Sequence, residues 1–278
     1  MSTILTLSLA GSPGVTTTSL AMALSWPQSV LLVEADSSRY SSILPGYFRG
    51  QIAHIRGIGE LPVVANNNGS LDINQLWAQT ISLIDEAIEG PQRRLIPGFK
   101  NPAAARAMDP VWVQLATAAS SFEGMGMDVI IDAGHWNVSD SRSALLRAAD
   151  AVVIFARPTL PDIVAVHKRL ASLRSELAAT GRDGNISLVL IEASTGPQLS
   201  SAEIHKALGL EQSVRMGWDD KTAVVYSLGE PLTKKLEKTK FGRGLTPIIE
   251  LIRGQLAVQR ERLSESRDSR ESETEARR

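Results

Sequence analysis

Cysteine is absent from the sequence. That one absence removes disulfides, Cys-ligated zinc and thiol catalysis from consideration together. An excess of one charge is also missing. Lys and Arg number 29 against 30 Asp and Glu, for a formal net charge of -1, so overall charge announces no polyanionic partner. No segment reaches the roughly 18 consecutive apolar residues of a membrane helix. Met1 to Ala10 lacks the basic start of a signal peptide and reads as a strand. The expectation is a soluble, cytoplasmic protein without a transmembrane segment. His54, His135, His167 and His205 show no metal-ligand spacing. There is no G-x-S-x-G elbow for a serine hydrolase. Gly124-x-Gly126 precedes a strand instead of following one, so it is not a dinucleotide fingerprint.

What is present is a core-forming composition, 43% hydrophobic and 21% charged over 278 residues, enough for one large domain. Short apolar runs read as buried strands at Thr3 to Ala10, Ser29 to Ala35, Arg93 to Ile96, Met127 to Ala133, Ala151 to Ala156, Ile186 to Ile191 and Ser213 to Trp218. Helical segments fall at Thr16 to Trp26, Ser70 to about Ile88, Pro102 to Ser121 with a break at Pro110, and Ser139 to Ala149 capped by Ser139 or Asp140. Others follow at Pro161 to Thr180, Ser200 to Leu208 and Leu245 to Leu263. Residues 37 to 70 read as loop. Strands of this kind alternating with helices predict an α/β fold with a doubly wound, mostly parallel sheet covered on both faces. The chain divides into a domain over 1-263 and a charged tail over 264-278, whose Ser, Glu, Arg and Asp residues predict disorder.

Ligands of such sheets bind at the carboxyl ends of the strands. Attention therefore falls on Gly11 to Thr18, Glu34 to Asp36, Asp132 to His135 and Arg157 to Thr159. The first strand runs into Leu9-Ala10-Gly11-Ser12-Pro13-Gly14-Val15-Thr16-Thr17-Thr18, and small residues entering a helix aim amides and the helix dipole at one point, an anion site. In the pattern G-x-x-x-x-G-K-[ST], Gly14 fills the second glycine and Thr16 the metal-binding hydroxyl. Val15 stands at the lysine and Leu9 at the first glycine. Alone, the stretch reads equally as a glycine turn joining strand to helix. The later strand ends Glu34-Ala35-Asp36 and Asp132-Ala133-Gly134 add carboxylates of the type that serve magnesium and water near a phosphate loop.

This arrangement resembles the ParA/MinD family of dimeric P-loop ATPases over roughly residues 1 to 260. The family opens K-G-G-x-G-K-T-T after its first strand, and Ala10-Gly11-Ser12-Pro13-Gly14-Val15-Thr16-Thr17 stands in that place. The resemblance implies a P-loop NTPase architecture and a nucleotide cradle of Gly11, Ser12, Gly14, Val15, Thr16 and Thr17. It further implies Thr16 and Asp132 at Mg²⁺, Asp36 orienting the attacking water, Gly134 in a switch, and Glu192 where the base-contacting region carries Asn.

The departures point away from hydrolysis. Ala10 replaces the lysine that reaches across the family's dimer, Val15 replaces the ordinary P-loop lysine, and Pro13 removes an amide from the cradle. Each lysine–phosphate contact is worth roughly 1.5–3 kcal/mol, so two losses weaken triphosphate binding by about 2–4 powers of ten. ATP and Mg²⁺ binding is thus expected weak or absent. Arg39 and Arg157 are the candidates for replacement charge. Among relatives with damaged P-loops, the chain most resembles the CpaE/TadZ group of localisation factors for Tad-type pilus or secretion machinery. The resemblance implies a positioning or assembly factor whose homodimer is nucleotide-independent or uses another surface. The alternative is an active partitioning ATPase with nonspecific DNA binding. For that role the cluster Lys234, Lys235, Lys238, Lys240 and Arg243 is the candidate, although it is interrupted by Glu237 and reads most simply as a solvated helix face. The apolar stripe Ile248, Ile249, Leu251, Ile252 and Leu256 favours docking on the core over membrane binding. His135 reads as a loop histidine with a switch role as the alternative.

Overall fold

The computed structural model describes the backbone of residues 2–11, 14–87, 89–137, 140–182 and 184–276, and the side chains of all these except 123, 260 and 262–276. Ser12, Pro13 and Ser139 therefore lie outside the described residues. Strand β1 (Thr3–Ser8) is fully buried at the centre of the sheet, paired in parallel with β5 (Met127–His135) on one side and β6 (Ala151–Ala156) on the other. The other strands are β2 (Ser29–Glu34), β3 (Ile81–Ser82), β4 (Arg93–Ile96), β7 (Ile186–Ile191) and β8 (Ser213–Met216). Their order is β3-β4-β2-β5-β1-β6-β7-β8. Every pairing is parallel except that of β3, which runs antiparallel to β4 at one edge.

Alternation along β1 explains why the strand sits between two layers. Ile4 faces one core with Leu20 and Met22 of α1 (Val15–Ser25), and with Ile248 and Ile252 of α9 (Lys240–Ala276). Leu5 and Leu7 face the other, formed by α2 (Leu61–Asn68), α3 (Ile73–Ala78), α4 (Trp112–Ser120), α5 (Ser143–Ala148), α6 (Leu160–Ala178) and α7 (Ser201–Leu208). The doubly wound, mostly parallel sheet expected from the apolar runs is the one observed. Thr6 is polar in the middle of β1 and is satisfied there. Its hydroxyl donates to or accepts from Ser19 Oγ of α1 at 2.8 Å and reaches the Ile131 carbonyl at 3.2 Å, as buried polar groups must.

Several boundaries differ from the sequence reading. Residues 37 to 70 contain a 3₁₀ turn at Ile58–Glu60 followed by α2. The helix expected from Ser70 shortens to α3, closed at its start by a reciprocal Asp72–Gln75 capping box, and gives way to β3. Pro102–Met108 is 3₁₀, so α4 begins only at Trp112. Helix α8 (Asp220–Leu228) follows β8 without having been expected, started by the Asp219 side chain accepting from Thr222 N. Helix α9 starts ahead of Leu245 and continues past Leu263 to Ala276, while its closely packed residues end at Leu256 and Gln259.

Candidate functional site

The turn after β1 opens at the carboxyl edge of the sheet. Gly11 has φ 70° and Gly14 φ 102°. Gly14 is the residue before α1, and a Cβ on it would stand 2.7 Å from Ile191 Cδ1. The conformation therefore favours glycine here, and a larger residue would in addition have to push aside the end of the Ile191 side chain. The first turn of α1 closes with Thr18 N donating to Gly14 O at 2.9 Å. The amides of Val15, Thr16 and Thr17 consequently have no partner within the helix. Among the described residues no side chain caps this end, and no acidic residue occupies its first turn, which suits the positive end of the helix dipole to an anion.

Gly11, Gly14, Val15, Thr16 and Thr17 line one cavity of about 250 Å³ together with Asp36, Arg39, Gly134 and His135. The candidate cradle residues that are described thus come together, and Ser12 lies outside the described residues. Val15 is the decisive member. It is 4% exposed and packs in the core with Leu20 and Ile191, so this part of the cavity wall, at the start of α1, is apolar.

The three acidic residues do different things. Glu34 is buried and fully engaged. Its Oε2 accepts from Ser41 Oγ at 2.6 Å and Gly98 N at 2.9 Å, and its Oε1 from Ser42 N at 2.6 Å and Ser42 Oγ at 3.2 Å. It anchors two loops. Asp36 faces the cavity; its Oδ1 accepts from the amide and hydroxyl of Ser38 at 2.9 and 2.6 Å. Asp132 stands behind the cavity wall at 0% exposure. Its Oδ1 accepts from Gly134 N at 3.0 Å, and its Oδ2 has no hydrogen-bond partner of good geometry. Burial pushes the Asp132 pKa up to about 7. The nearby Thr16 side chain pulls the other way, the negative charges of Glu34 and Asp36 add to the rise, and the Gly134 amide opposes it.

Of the two arginines expected to compensate, only Arg39 reaches the cavity. It is mostly exposed, with Nε 3.9 Å from Asp36 Oδ2. The backbone of Arg157 is fastened to Asp162 at 3.1 Å, and the residue does not line this cavity. His135, expected in a loop, ends β5 and lines the cavity. Its Nε2 is 3.0 Å from Asn137 Oδ1, and its Nδ1 is buried without a partner. Gly134, expected in a switch loop, lies inside β5 with φ 56°, and Ser8 pairs with His135 beyond the irregularity in register. Tyr226 of α8, unforeseen, also lines the cavity; burial, with the charge of Tyr47, raises its phenol to about 12 and keeps it protonated. Glu192 follows the end of β7 and is held by Arg215, Nε to Oε1 3.2 Å. The basic cluster is not a single helix face: Lys234 and Lys235 precede a 3₁₀ turn at Leu236–Lys238, and Lys240 and Arg243 begin α9, all exposed.

Thr16 and Asp132 are hard oxygen donors of the type Mg²⁺ takes, but Asp132 is fully buried and does not line the cavity, and among the described residues no group of three or more His, Asp or Glu is placed to hold a metal ion. A triphosphate would find the amides of α1, but among the described cavity-lining residues Arg39 is the one permanent cation, set beside Asp36.

No protein-family model matches the chain, and no curated protein matches it by sequence. Solved structures do. A ParA family ATPase from Chlorobium tepidum superposes with a TM-score of 0.68 at 16% identity, covering 89% of this chain and 98% of that one. The septum site-determining protein MinD complexed with Mg-ADP from Pyrococcus horikoshii gives 0.64 at 14% identity, covering 93% and 99%. A point variant of Cyanothece McdA in complex with ATP gives 0.66 at 18% identity, covering 92% and 96%. The chain has the ParA/MinD-type P-loop NTPase fold. Among the described residues no helix is long and apolar enough to cross a membrane.

Proposed function

We propose that this chain is a positioning or assembly factor built on the ParA/MinD-type fold, with nucleotide hydrolysis weak or lost. The observation that carries the reading is Val15, buried in the core where the fold's catalytic cation belongs. Backbone amides alone leave a nucleotide cradle without its strongest charge-assisted contacts, and preorganised charge donors typically supply about a hundredfold or more in rate. Asp36 retains the position of a water-orienting carboxylate, and Thr16 with Asp132 that of a metal pair. The resemblance to the CpaE/TadZ group makes a Tad-type pilus or secretion complex in the cytoplasm the proposed partner, an argument from fold analogy. Any homodimer forms without nucleotide.

Titration calorimetry with Mg-ATP and Mg-ADP, paired with a phosphate-release assay, tests this. The expected result is binding weaker than about 100 μM, some two or more powers of ten below a lysine-bearing site, and no turnover above background. Micromolar affinity with turnover abolished by Asp36→Ala would establish an active ATPase instead.

The second reading is nonspecific DNA binding. Lys240 and Arg243 line an open cleft of about 610 Å³ with Arg215, Trp218 and the acidic Glu192 and Asp220, and Lys234, Lys235 and Lys238 are exposed nearby in sequence. A gel shift that weakens with salt and disappears on neutralising Lys234 and Lys235 would favour it.

A further inference from the structure

Arg142 is among the largest fully buried side chains of the protein, at 1% exposure, and no expectation from the sequence used it. Its guanidinium is shared among three strand-end carbonyls. Nη1 donates to Ala35 O at 2.9 Å and to Ala133 O, and Nη2 donates to His135 O at 2.7 Å. Nε and Nη2 each donate to the Asp140 carboxylate at 2.7 Å, and the guanidinium carbon lies 4.9 Å over the Trp136 ring. Burial pushes the Asp140 carboxyl up, but hydrogen bonds and charge from Arg142 overcome this and hold it below its usual value. The pair is therefore ionised and internally neutral.

Those three carbonyls flank the two acidic residues of the site. Ala35 precedes Asp36 at the end of β2, and Ala133 and His135 follow Asp132 at the end of β5. The β2–β5 junction is tied at one more point, Ala35 N to Asp132 O at 2.7 Å, while Trp136 N donates across to Ser8 O of β1 at 2.9 Å. We propose that Arg142 is the positioning residue of the site: its planar fork welds the end of β2 to the end of β5, setting where Asp36 stands against Asp132 and holding residues 134–136 in one arrangement. A lysine cannot do this, because one ammonium on a flexible stem cannot reach carbonyls on two strands in fixed geometry. The inference concerns the protein without ligand and stands independently of whether nucleotide binds.

Native-state hydrogen exchange on the full chain tests it, with Arg142→Met, Arg142→Lys and Asp140→Asn. In both Arg142 variants the amides of Ala35, Gly134 and Trp136 are expected to exchange roughly tenfold or more faster. Amides of β6 and β7, such as Val152 and Leu188, are expected to keep wild-type protection. Asp140→Asn keeps the carbonyl contacts and is expected to give a smaller acceleration at the same amides, which keeps the proposal testable should Arg142→Met not fold. Three outcomes would overturn it: unchanged exchange at Ala35, Gly134 and Trp136; acceleration spread equally over β6 and β7, the mark of a general stabiliser; or full protection in Arg142→Lys, showing that charge alone suffices.

Discussion

The Asp36 carboxylate lies directly against the Cα of Gly134, so closely that a methyl group on that carbon would overlap it. Gly134 also holds φ 56°, a conformation that costs an L-residue roughly 1–2 kcal/mol. Gly134→Ala is therefore expected to destabilise by more than that conformational amount and to displace Asp36. Gly69→Ala is the control, since Gly69 has φ 78° and a methyl group added there would meet nothing within 4 Å. Urea unfolding of both variants gives the comparison. Equal losses at the two sites would show that the contact with Asp36 carries no weight.

The raised pKa of Asp132, about 7, makes stability depend on pH with a definite sign. The unfolded carboxyl titrates near 3.9, so between about pH 4 and pH 7 the folded protein holds this proton more tightly than the unfolded chain does. Stability from this group is thus full below about pH 4, falls as pH rises toward 7, and is level above it. A rise from near 4 to about 7 is worth on the order of 4 kcal/mol. Asp132→Asn preserves the acceptor for Gly134 N and cannot ionise, so its stability is expected to vary less between pH 5 and pH 8 than that of the wild type. Magnesium is expected to recover wild-type stability at pH 8 and to leave the variant unaffected. Urea midpoints at the two pH values, with and without magnesium, measure both effects. Parallel pH profiles for the two proteins would remove Asp132 as the source.

These two residues show what sequence could and could not supply. The strand ends at Glu34-Ala35-Asp36 and Asp132-Ala133-Gly134 are legible because buried parallel strands are continuous apolar runs that stop at polar residues. Gly11, Gly14, Thr16 and Thr17 follow from the same rule at β1. Arg142 was not legible, because its main partners are backbone carbonyls, one of them 107 positions away, and a carbonyl has no sequence signature. The division of labour between Glu34 and Asp36 was hidden for a related reason: Glu34 is engaged by Ser41, Ser42 and the Gly98 amide, contacts that only the folded loops create. Helix α2 escaped notice because it ends in Asn66, Asn67 and Asn68, residues of low helix propensity, and β3 is too short to show a period.

Restoring the missing cation tests the binding reading directly. Val15→Lys places an ammonium at the start of α1 and is expected to tighten Mg-ATP binding by roughly 10- to 100-fold, the worth of one charge-assisted contact. Some stability is lost with it, because Val15 packs against the core. Arg39→Ala is expected to weaken whatever affinity the wild type retains, whereas Arg157→Ala is expected to change nothing, since Arg157 does not line the cavity. Calorimetry on the three variants decides. A Val15→Lys protein that folds and binds no better than wild type would show that the cradle backbone itself is unfit for phosphate.

The length of chain that the domain needs can be measured by truncation. Helix α9 contributes Leu245, Ile248, Ile249, Ile252 and Leu256 to the core beside α1. Gln255 accepts from the buried Ser187 hydroxyl at 2.6 Å, and Gln259 accepts from Asn185. Beyond Leu263 the sequence is almost wholly Ser, Glu, Arg, Asp and Thr, which offers nothing to a hydrophobic core whatever its backbone does. Ending the chain after Leu263 is therefore expected to move Tm by less than about 3 °C, the equivalent of roughly 1 kcal/mol in a domain of this size. Ending it before Ile248 strips four core side chains from the face of β1, β6 and β7 and leaves Ser187 without its acceptor, and that protein is not expected to fold. Should the cut after Leu263 lower Tm by about 10 °C or more, the charged segment holds contacts that stabilise the domain, and the boundary belongs further along the chain.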